Sequence, residues 1–430
     1  MYNTERDKLR LEVARKVNSL SREELLKDFA ISRVANITGL DIIGVPVFTT
    51  VRALSKTIAI HGGKGLDPAM CRAGAIIEAI EFEVAEQRNS KAIMAQAFQI
   101  PEEERLAIED CFPARSSIVT EFTPMAWETA TNIQNGQEKL MPSDLIWMIP
   151  RIKEQPLLYL QTGSNGLAGG GSLEDAILSG LYEILERDAW TLNQFILDNC
   201  GCQPRRVPLI SLPEPVEALV RKIENAKLKL HLFDCTNDYR VPAMSAMILD
   251  FTGNCAGTFA GYGCHLNAEI AAIRAITEAI QGRACYIAGA RDDMFRRQFL
   301  LMKGLNHKRL DQMFNDIPAT SPLSEYRTIQ FEGIKEELRY LLRLIKAAGV
   351  SEVYVKELGA IPKLGLKIVR VFSPQCEPFK FDFWQPTLRC LSYAKRKLAE
   401  LAKQRKEKVT EPEEEDEEEG EDPSESWKNA

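Results

Sequence analysis

The amino-acid sequence predicts a mixed α/β or α+β fold in which long helices pack on β-sheets. Short runs rich in β-branched and apolar residues alternate with longer segments that begin with helix-capping residues. Of the 430 residues, 45% are apolar and 27% are charged, which is usual for a globular protein with a sizeable core. No apolar run approaches the roughly 18 residues that a membrane span requires, and the charged N-terminus does not resemble a signal peptide. We therefore expect a cytoplasmic protein with no membrane association.

The strands and helices can be assigned in chain order from these patterns. Asp67 followed by Pro68 marks the start of one helix, and Ser172 with Asp175 three residues later marks the start of another. Pro46 indicates an edge position for the first strand, because proline cannot donate a hydrogen bond to a neighbouring strand. The predicted strands span residues 42–51, 156–161, 229–234, 242–251, 352–356 and 366–372. The predicted helices span residues 69–87, 172–197, 267–288 and 334–348.

The net charge of −7 divides unevenly along the chain. Residues 411–430 contain eleven acidic residues and one lysine, a charge of −10, so the remainder is about +3 (−7 minus −10). The acidic run at 413–419 repels itself and has no apolar surface to bury, which predicts a disordered tail over residues 409–430. A basic helix is predicted just before it, at residues 393–408. Because the adjacent polyanion argues against nucleic-acid binding by that helix, no nucleic-acid partner is expected.

Cysteine and glycine patterns argue against several other kinds of site. The chain has ten cysteines but only four histidines, and the close pair Cys200 and Cys202 lacks the two-residue spacer of zinc and redox motifs. No cysteine stands in a recognisable arrangement with a histidine for nucleophilic catalysis. The glycines at 163–171 miss the spacing of a dinucleotide-binding loop. A zinc protein, a cysteine-nucleophile enzyme and a dinucleotide-binding fold are therefore not predicted.

Three of the predicted helices contain polar stripes within apolar surroundings. In the first, Glu78 and Glu81 are three residues apart and so lie on one helix face. A lone pair of this kind is usually part of a solvated surface. Buried carboxylates, however, must be paired or bind a metal, and two like charges this close repel each other unless a cation lies between them. The second helix contains Ser179, Glu183, Glu186 and Arg187, and the third contains Arg274, Glu278 and Gln281.

If the three helices converge, these stripes form an oxygen-rich pocket that suits Mg²⁺. This ion commonly binds a few carboxylates together with the phosphates of a substrate. Arg187, Gln281 and Arg283 would then supply hydrogen-bond donors for the phosphate oxygens. From the residues alone we thus expect a magnesium and phosphate site between helices.

Several stretches of the sequence resemble the YcaO family, over about residues 31–372. The Ser-x-x-x-Glu-x-x-Glu-Arg-Asp element is present at 179–188, and the Arg-x-x-x-Glu-x-x-Gln-x-Arg element at 274–283. The stretch at 31–47 is similar to the opening signature of the family. Short matches at 63–65 (Gly-Lys-Gly) and 291–293 (Arg-Asp-Asp) accompany these elements.

The resemblance implies an α+β fold with an ATP site between helices and no Walker loop. It implies Mg²⁺ ions that bridge the triphosphate and are held by Glu78, Glu81, Glu183, Glu186 and Glu278. It implies contacts to ATP from Ser179, Arg187, Gln281, Arg283, Lys64 and Arg52. It assigns no further catalytic residue.

The activity that the resemblance implies is ATP-dependent activation of a backbone amide in a ribosomal peptide or protein. A nucleophile adds to the carbonyl carbon, the resulting oxyanion attacks the γ-phosphate, and phosphate leaves as the new C=N or C=S bond forms. The product is an azoline when the nucleophile is a Cys, Ser or Thr side chain of the substrate, and a thioamide when it is sulfide. The expected partner is a leader-peptide-binding protein or a TfuA-like sulfur-delivery protein, and family members often form homodimers.

Departures from the family pattern bear on these expectations. Gly74 occupies a position where serine is usual, and Phe82 one where arginine is common, so a catalytically degenerate scaffold is the alternative function. The chain also lacks the proline-rich ending of azoline-forming members, which makes ring closure and thioamide formation equally expected. The expected organisation is a catalytic domain at 1–392, a basic helix at 393–408 and an acidic tail at 409–430.

Overall fold

The computed structural model describes residues 4–87, 92–115, 117–148, 160–251, 257–291, 307–326, 328–380 and 384–410. Within them the protein is an α+β structure, which confirms the predicted class. The helices are α1 (Glu5–Asn18), α2 (Arg22–Phe29), α3 (Pro68–Ala85), α4 (Ser143–Ile146), α5 (Leu173–Cys200), α6 (Glu214–Asn225), α7 (Ala268–Ala288), α8 (His307–Asn315), α9 (Ile334–Ala347) and α10 (Leu388–Thr410). The strands are β1 (Arg33–Asn36), β2 (Val47–Val51), β3 (Ile60–Lys64), β4 (Ile93–Gln96), β5 (Pro124–Asn132), β6 (Glu138–Pro142), β7 (Leu167–Gly170), β8 (Arg205–Arg206), β9 (Lys229–Asp234), β10 (Ala243–Asp250), β11 (Gly257–Cys264), β12 (Tyr354–Ile361) and β13 (Leu366–Phe372).

These strands form three sheets in which each pairing is antiparallel. The first has the order β1-β2-β3 and the second the order β11-β10-β9-β8. The third has the order β4-β5-β12-β13-β7, with β6 paired to β5. Antiparallel sheets can leave one face to helices and the other to solvent, which suits an α+β architecture.

The three long helices each cover one sheet and contact the next. α3 packs on β2 and β3, α5 on β7 and β13, and α7 on β10 and β11. In addition, α3 contacts β7, α5 contacts β11 and α7 contacts β3, so the helices and sheets form a closed ring of contacts. Small and aliphatic side chains fill these interfaces in three core clusters. The helices that contain the polar stripes therefore meet around a common centre.

The approach of β3 to α3 depends on glycine. A Cβ on Gly63 would overlap the carbonyl oxygen of Cys71 and crowd the amide nitrogen of Ala75, both in α3. Only glycine permits a backbone approach of this kind. The contact keeps the backbone of Gly62 and the side chain of Lys64 beside the polar stripe of α3.

Most of the predicted elements are confirmed, including the start of α5, where the Ser172 side chain accepts a hydrogen bond from the N–H of Asp175. The first predicted strand was too long, because β2 begins only at Val47. Gly44 has a φ of 69° and Pro46 lacks an N–H, so this stretch cannot extend the strand. The predicted edge position of this strand was also wrong, because β2 is the central strand and pairs with β1 and β3; Pro46 precedes the paired residues. The strand predicted at 156–161 and the acidic tail lie largely outside the described residues. None of the helices that the structure describes is long and apolar enough to cross a bilayer.

Candidate functional site

A cavity of about 770 Å³ lies where α3, α5 and α7 meet, and β3, β7 and β11 complete its walls. The convergence of the three polar stripes, on which the sequence-based expectation depended, is thus present. The glutamates that line the cavity are Glu78, Glu81, Glu183, Glu186 and Glu278. The cavity is also lined by Lys64, Ser179, Arg187 and Gln281 among the predicted site residues.

α3 presents two glutamates whose orientation is fixed by backbone donors from two different sheets. The N–H of Gly62 in β3 donates to Glu78 Oε2 at 3.0 Å, and the N–H of Gly169 in β7 donates to Glu81 Oε1 at 2.5 Å. Burial raises the pKa of Glu78. Burial, and then the charges of Glu78 and Glu183, raise the pKa of Glu81 well above its usual value. The two carboxylates are therefore held in place in surroundings that disfavour their charge.

α5 presents a second pair of glutamates together with an arginine. Burial is the main cause that raises the pKa of Glu183 to about 7, and the neighbouring charge of Glu186 adds to it while Arg187 opposes it. Burial also raises the pKa of Glu186. Arg187 lies 3.5 Å from Glu186 and 3.9 Å from Glu278, so it connects α5 to α7 across the cavity.

α7 and β3 form the wall with the most positive charge. Lys64 Nζ lies 2.7 Å from Glu278 Oε2. Burial favours the neutral form of Glu278, but Lys64 and then Arg187 outweigh burial, so the pKa of this carboxyl is lowered. Gln281 and Arg274 line the same wall, and Arg274 Nη1 donates to the carbonyl oxygen of Cys264 at 3.1 Å. Glu278 is thus charged and paired.

The remaining glutamates form no ion pair in the part of the chain that the structure describes, although the charge of Lys64 opposes the rise in the pKa of Glu78 and that of Arg187 the rise in the pKa of Glu183. Glu78, Glu81 and Glu183 form no ion pair there, whereas the other two glutamates pair with Arg187 or Lys64. Buried like charges of this kind require a cation. No three His, Cys, Asp or Glu side chains among the described residues stand close enough to hold a metal ion by themselves. The donor set fits Mg²⁺, since this ion binds one or two carboxylates and takes its other ligands from phosphates and water.

Comparison with known families shows which family the chain belongs to and which cofactors that family binds. A family model described as YcaO cyclodehydratase, ATP- and Mg²⁺-binding, matches residues 62–377. The chain belongs to the YcaO family. The matched range contains all five cavity glutamates, and ATP and Mg²⁺ are the cofactors of that family.

Two curated relatives match most of the chain. One, from Methanothermobacter thermautotrophicus, is 30% identical over 379 residues, which is 83% of this chain and 92% of the relative, and is described as uncharacterized. The other, from Rhizobium leguminosarum bv. trifolii, is described as an uncharacterized protein in the tfuA 3' region. It is 30% identical over 363 residues, or 82% of this chain and 85% of the relative.

Solved structures of the YcaO family confirm the fold. The YcaO of Methanopyrus kandleri, bound with AMPPCP and Mg²⁺, superposes with a TM-score of 0.66 at 20% identity, over 86% of this chain and 92% of that one. A heterocyclase in complex with substrate and cofactor gives a TM-score of 0.68 at 19% identity over 85% of this chain. The chain spans about half the length of that heterocyclase, 53% of it.

Two of the residues that the resemblance linked to ATP do not line the cavity. Arg52 is buried beneath the end of α3, where it pairs with Glu83 and, at 2.9 Å, with Glu86. Arg283 donates to Asp41 at 3.0 Å and to Asp250 at 2.7 Å. It is five residues from Glu278 and hence rotated about 140° around the helix, so the spacing already indicated a different face. Their roles as ATP contacts stay predictions.

The structure also places two arginines that the sequence analysis did not assign next to a residue that lines the cavity. Ser179 lines the cavity, and its hydroxyl accepts hydrogen bonds from Arg6 at 3.2 Å and Arg10 at 3.0 Å, both in α1. Asp175, one turn earlier, pairs with the same two arginines. The i, i+4 spacing of the arginines indicated a shared helix face. It could not indicate that α5 was the partner.

Proposed function

We propose that this YcaO-family chain uses ATP and Mg²⁺ to phosphorylate the oxygen of a peptide-backbone amide, during the modification of a ribosomal peptide or protein. The observation that supports this most directly is the set of unpaired carboxylates Glu78, Glu81 and Glu183 at the meeting of three helices. A site built for an uncharged ligand would gain nothing from three neighbouring, half-buried carboxylates that form no ion pair. A triphosphate together with its magnesium supplies the compensating cation.

Glu78, Glu81 and Glu183 would hold Mg²⁺. Glu186 and Glu278, which pair with Arg187 and Lys64, line the same cavity. The ion supplies charge neutralisation for the phosphoryl group in transfer.

The residues of the chain itself orient the reacting groups. The N–H groups of Gly62 and Gly169 each engage one oxygen of a carboxylate in α3, and the other oxygen has no hydrogen-bond partner among the described residues. Lys64 and Arg187 are held at the cavity by their contacts with Glu278 and Glu186, and they supply cationic donors to phosphate oxygens. Gln281 adds a neutral donor on the same wall.

We propose thioamide formation as the first candidate product. The relative described as lying in the tfuA 3' region supports a TfuA-like sulfur-delivery partner. Azoline formation is the second candidate, and the likeness to heterocyclase structures supports it. In both reactions the cavity performs the same step, and only the nucleophile that adds to the amide carbon differs.

The experiment uses candidate peptides labelled with heavy oxygen at their backbone carbonyls, together with Mg·ATP and with or without sulfide. Phosphorylation of the amide oxygen predicts that released phosphate contains the label and that Glu183→Gln releases none. Mass spectrometry then distinguishes the products, because exchange of oxygen for sulfur raises the mass of the peptide and loss of water lowers it. Turnover that yields only unlabelled phosphate would contradict the proposed chemistry. A wild-type chain that binds no nucleotide would instead favour the scaffold function.

A further inference from the structure

The C-terminal helix α10 lies beyond the residues that match the family model, which end at 377, yet it packs on α5, which forms one wall of the cavity. Arg389 in α10 donates to both carboxylate oxygens of Asp188, through Nε at 2.9 Å and Nη2 at 2.8 Å. Asp188 is fully buried and directly follows Arg187 in α5. A bidentate pair of this geometry is among the strongest contacts between side chains.

Asp188 also ties down the segment that precedes α10. It accepts a hydrogen bond from the N–H of Glu377 at 2.7 Å and another from Asn237 Nδ2 at 2.8 Å. The Glu377 carboxylate in turn accepts hydrogen bonds from the side chain of Thr387 and from the N–H of Cys390. The segment 377–380 and the start of α10 are therefore both anchored on α5 through a single buried aspartate.

The anchored segment contacts the arginine of the cavity. The Phe379 ring lies 5.2 Å from Arg187 Cζ and stacks on Trp190 with ring centroids 4.3 Å apart. The Tyr262 ring lies 5.9 Å from the same guanidinium. Aromatic rings next to a guanidinium favour its charge and restrict its orientation. The position of Arg187 in the cavity thus depends on where the segment 377–380 is held.

We propose that Arg389 is a positioning residue for nucleotide binding: through Asp188 and the segment that bears Phe379, it holds Arg187 in the cavity. This inference rests on the proposed function in one respect, since it takes Arg187 as a contact to the phosphates of ATP. It gives the C-terminal helix a role in the active site that its charge pattern did not indicate.

The experiment measures binding of AMPPCP with Mg²⁺ by calorimetry, and unfolding temperature in parallel, for the full chain. Arg389→Ala is expected to weaken binding by about tenfold, as loss of an orienting contact typically does, and Arg389→Lys to restore part of that loss. Arg396→Ala is the matched control, because Arg396 lies in the same helix and shares Asp238 with Arg389 but does not contact Asp188. It is expected to bind as the wild type does. Phe379→Leu, which keeps the pair with Asp188, is expected to weaken binding by a few-fold.

A double-mutant cycle separates positioning from a general structural role. If Arg389 acts through Arg187, Arg389→Ala causes no further loss of affinity in an Arg187→Ala background. An equal loss in both backgrounds would overturn the proposal. So would wild-type affinity in both Arg389→Lys and Phe379→Leu, even if Arg389→Ala does not fold. Absence of binding by the wild-type chain would overturn the proposed function, and this inference with it.

Discussion

Helix α7 borders two clusters of charged side chains. In one cluster the opposite charges pair with each other, and in the other several carboxylates lie together without an ion pair. On one face, Arg283 lies between Asp41 and Asp250, and the side chains of all three are at most 3% exposed. On the other face is the cavity, where the half-buried Glu78, Glu81 and Glu183 form no ion pair among the described residues. Removing one partner of a buried ion pair destabilises the fold, because the other charge is left buried and uncompensated, whereas carboxylates that lie together without an ion pair are compensated only when a ligand binds. The comparison therefore predicts that the first cluster controls stability and the second controls binding.

The largest effect is expected for Glu183→Gln. The amide keeps the shape of the side chain but cannot offer a charged oxygen to magnesium, so affinity for Mg·ATP should fall by about 100-fold or more. Stability should be unchanged or slightly higher, because one of several mutually repelling carboxylates is removed. Calorimetry and thermal unfolding measure the two quantities on the same sample. Glu174→Gln, in the half-buried first turn of the same helix and outside the cavity lining, is the control and should match the wild type in affinity. Full affinity for Mg·ATP in Glu183→Gln would contradict the prediction that the cavity glutamates control binding.

For Arg283→Met we expect the reverse, a large loss of stability with little change in affinity. Removing this arginine leaves Asp41 and Asp250 buried without their shared partner, which should lower the free energy of unfolding by about 3–5 kcal/mol. Affinity for Mg·ATP should stay within about twofold at a temperature where the variant is folded. Denaturant unfolding tests this, with the exposed Arg221→Met as the control. A loss of affinity without a loss of stability would show instead that Arg283 contacts ATP, as the family resemblance implies.

A smaller loss of stability is expected for Gly63→Ala. The added methyl group would overlap the backbone of α3, so β3 and α3 would move apart at a cost of about 1–3 kcal/mol. Since β3 also bears Lys64 and the N–H that orients Glu78, affinity for Mg·ATP should fall as well. Gly39→Ala is the matched control, because a Cβ there meets no atom within 4 Å. Equal unfolding free energies for the two variants would contradict the close approach of β3 to α3.

The smallest effect is expected at Gly74, where the chain departs from the pattern of its family. Gly74 lines the cavity, and a Cβ there would meet only the Cα of Gly63 at 3.8 Å, an ordinary contact. Gly74→Ser should therefore fold and add a hydroxyl donor, tightening nucleotide binding by about two- to tenfold. Gly74→Ala separates this from helix propensity, since both variants should gain stability but only serine should gain affinity. A serine variant that binds no better than the alanine variant would show that the hydroxyl does not contact the nucleotide.

The sequence predicted which residues line the cavity better than it predicted the contacts around them, for a physical reason. Spacing along a helix reveals which side chains share a face, so Glu78 groups with Glu81, and Glu183 with Glu186, on sequence spacing alone. Spacing does not reveal what that face packs against. Arg283 pairs with Asp41, 242 residues away, and Arg389 with Asp188, 201 residues away, and neither pair has a local signal. The alternation of strands and helices likewise predicted most elements, while the ring of contacts among three sheets depends on long-range packing.

The cavity is expected to bind a nucleotide through a cation that its unpaired carboxylates require. The most direct measurement is a calorimetric titration of the wild-type chain with AMPPCP, first with Mg²⁺ and then with a chelator and no divalent metal. We expect saturable binding with Mg²⁺ and its loss when the metal is removed, because the carboxylates then repel the triphosphate. Equal affinity with and without Mg²⁺, or no binding in either condition, would contradict this expectation.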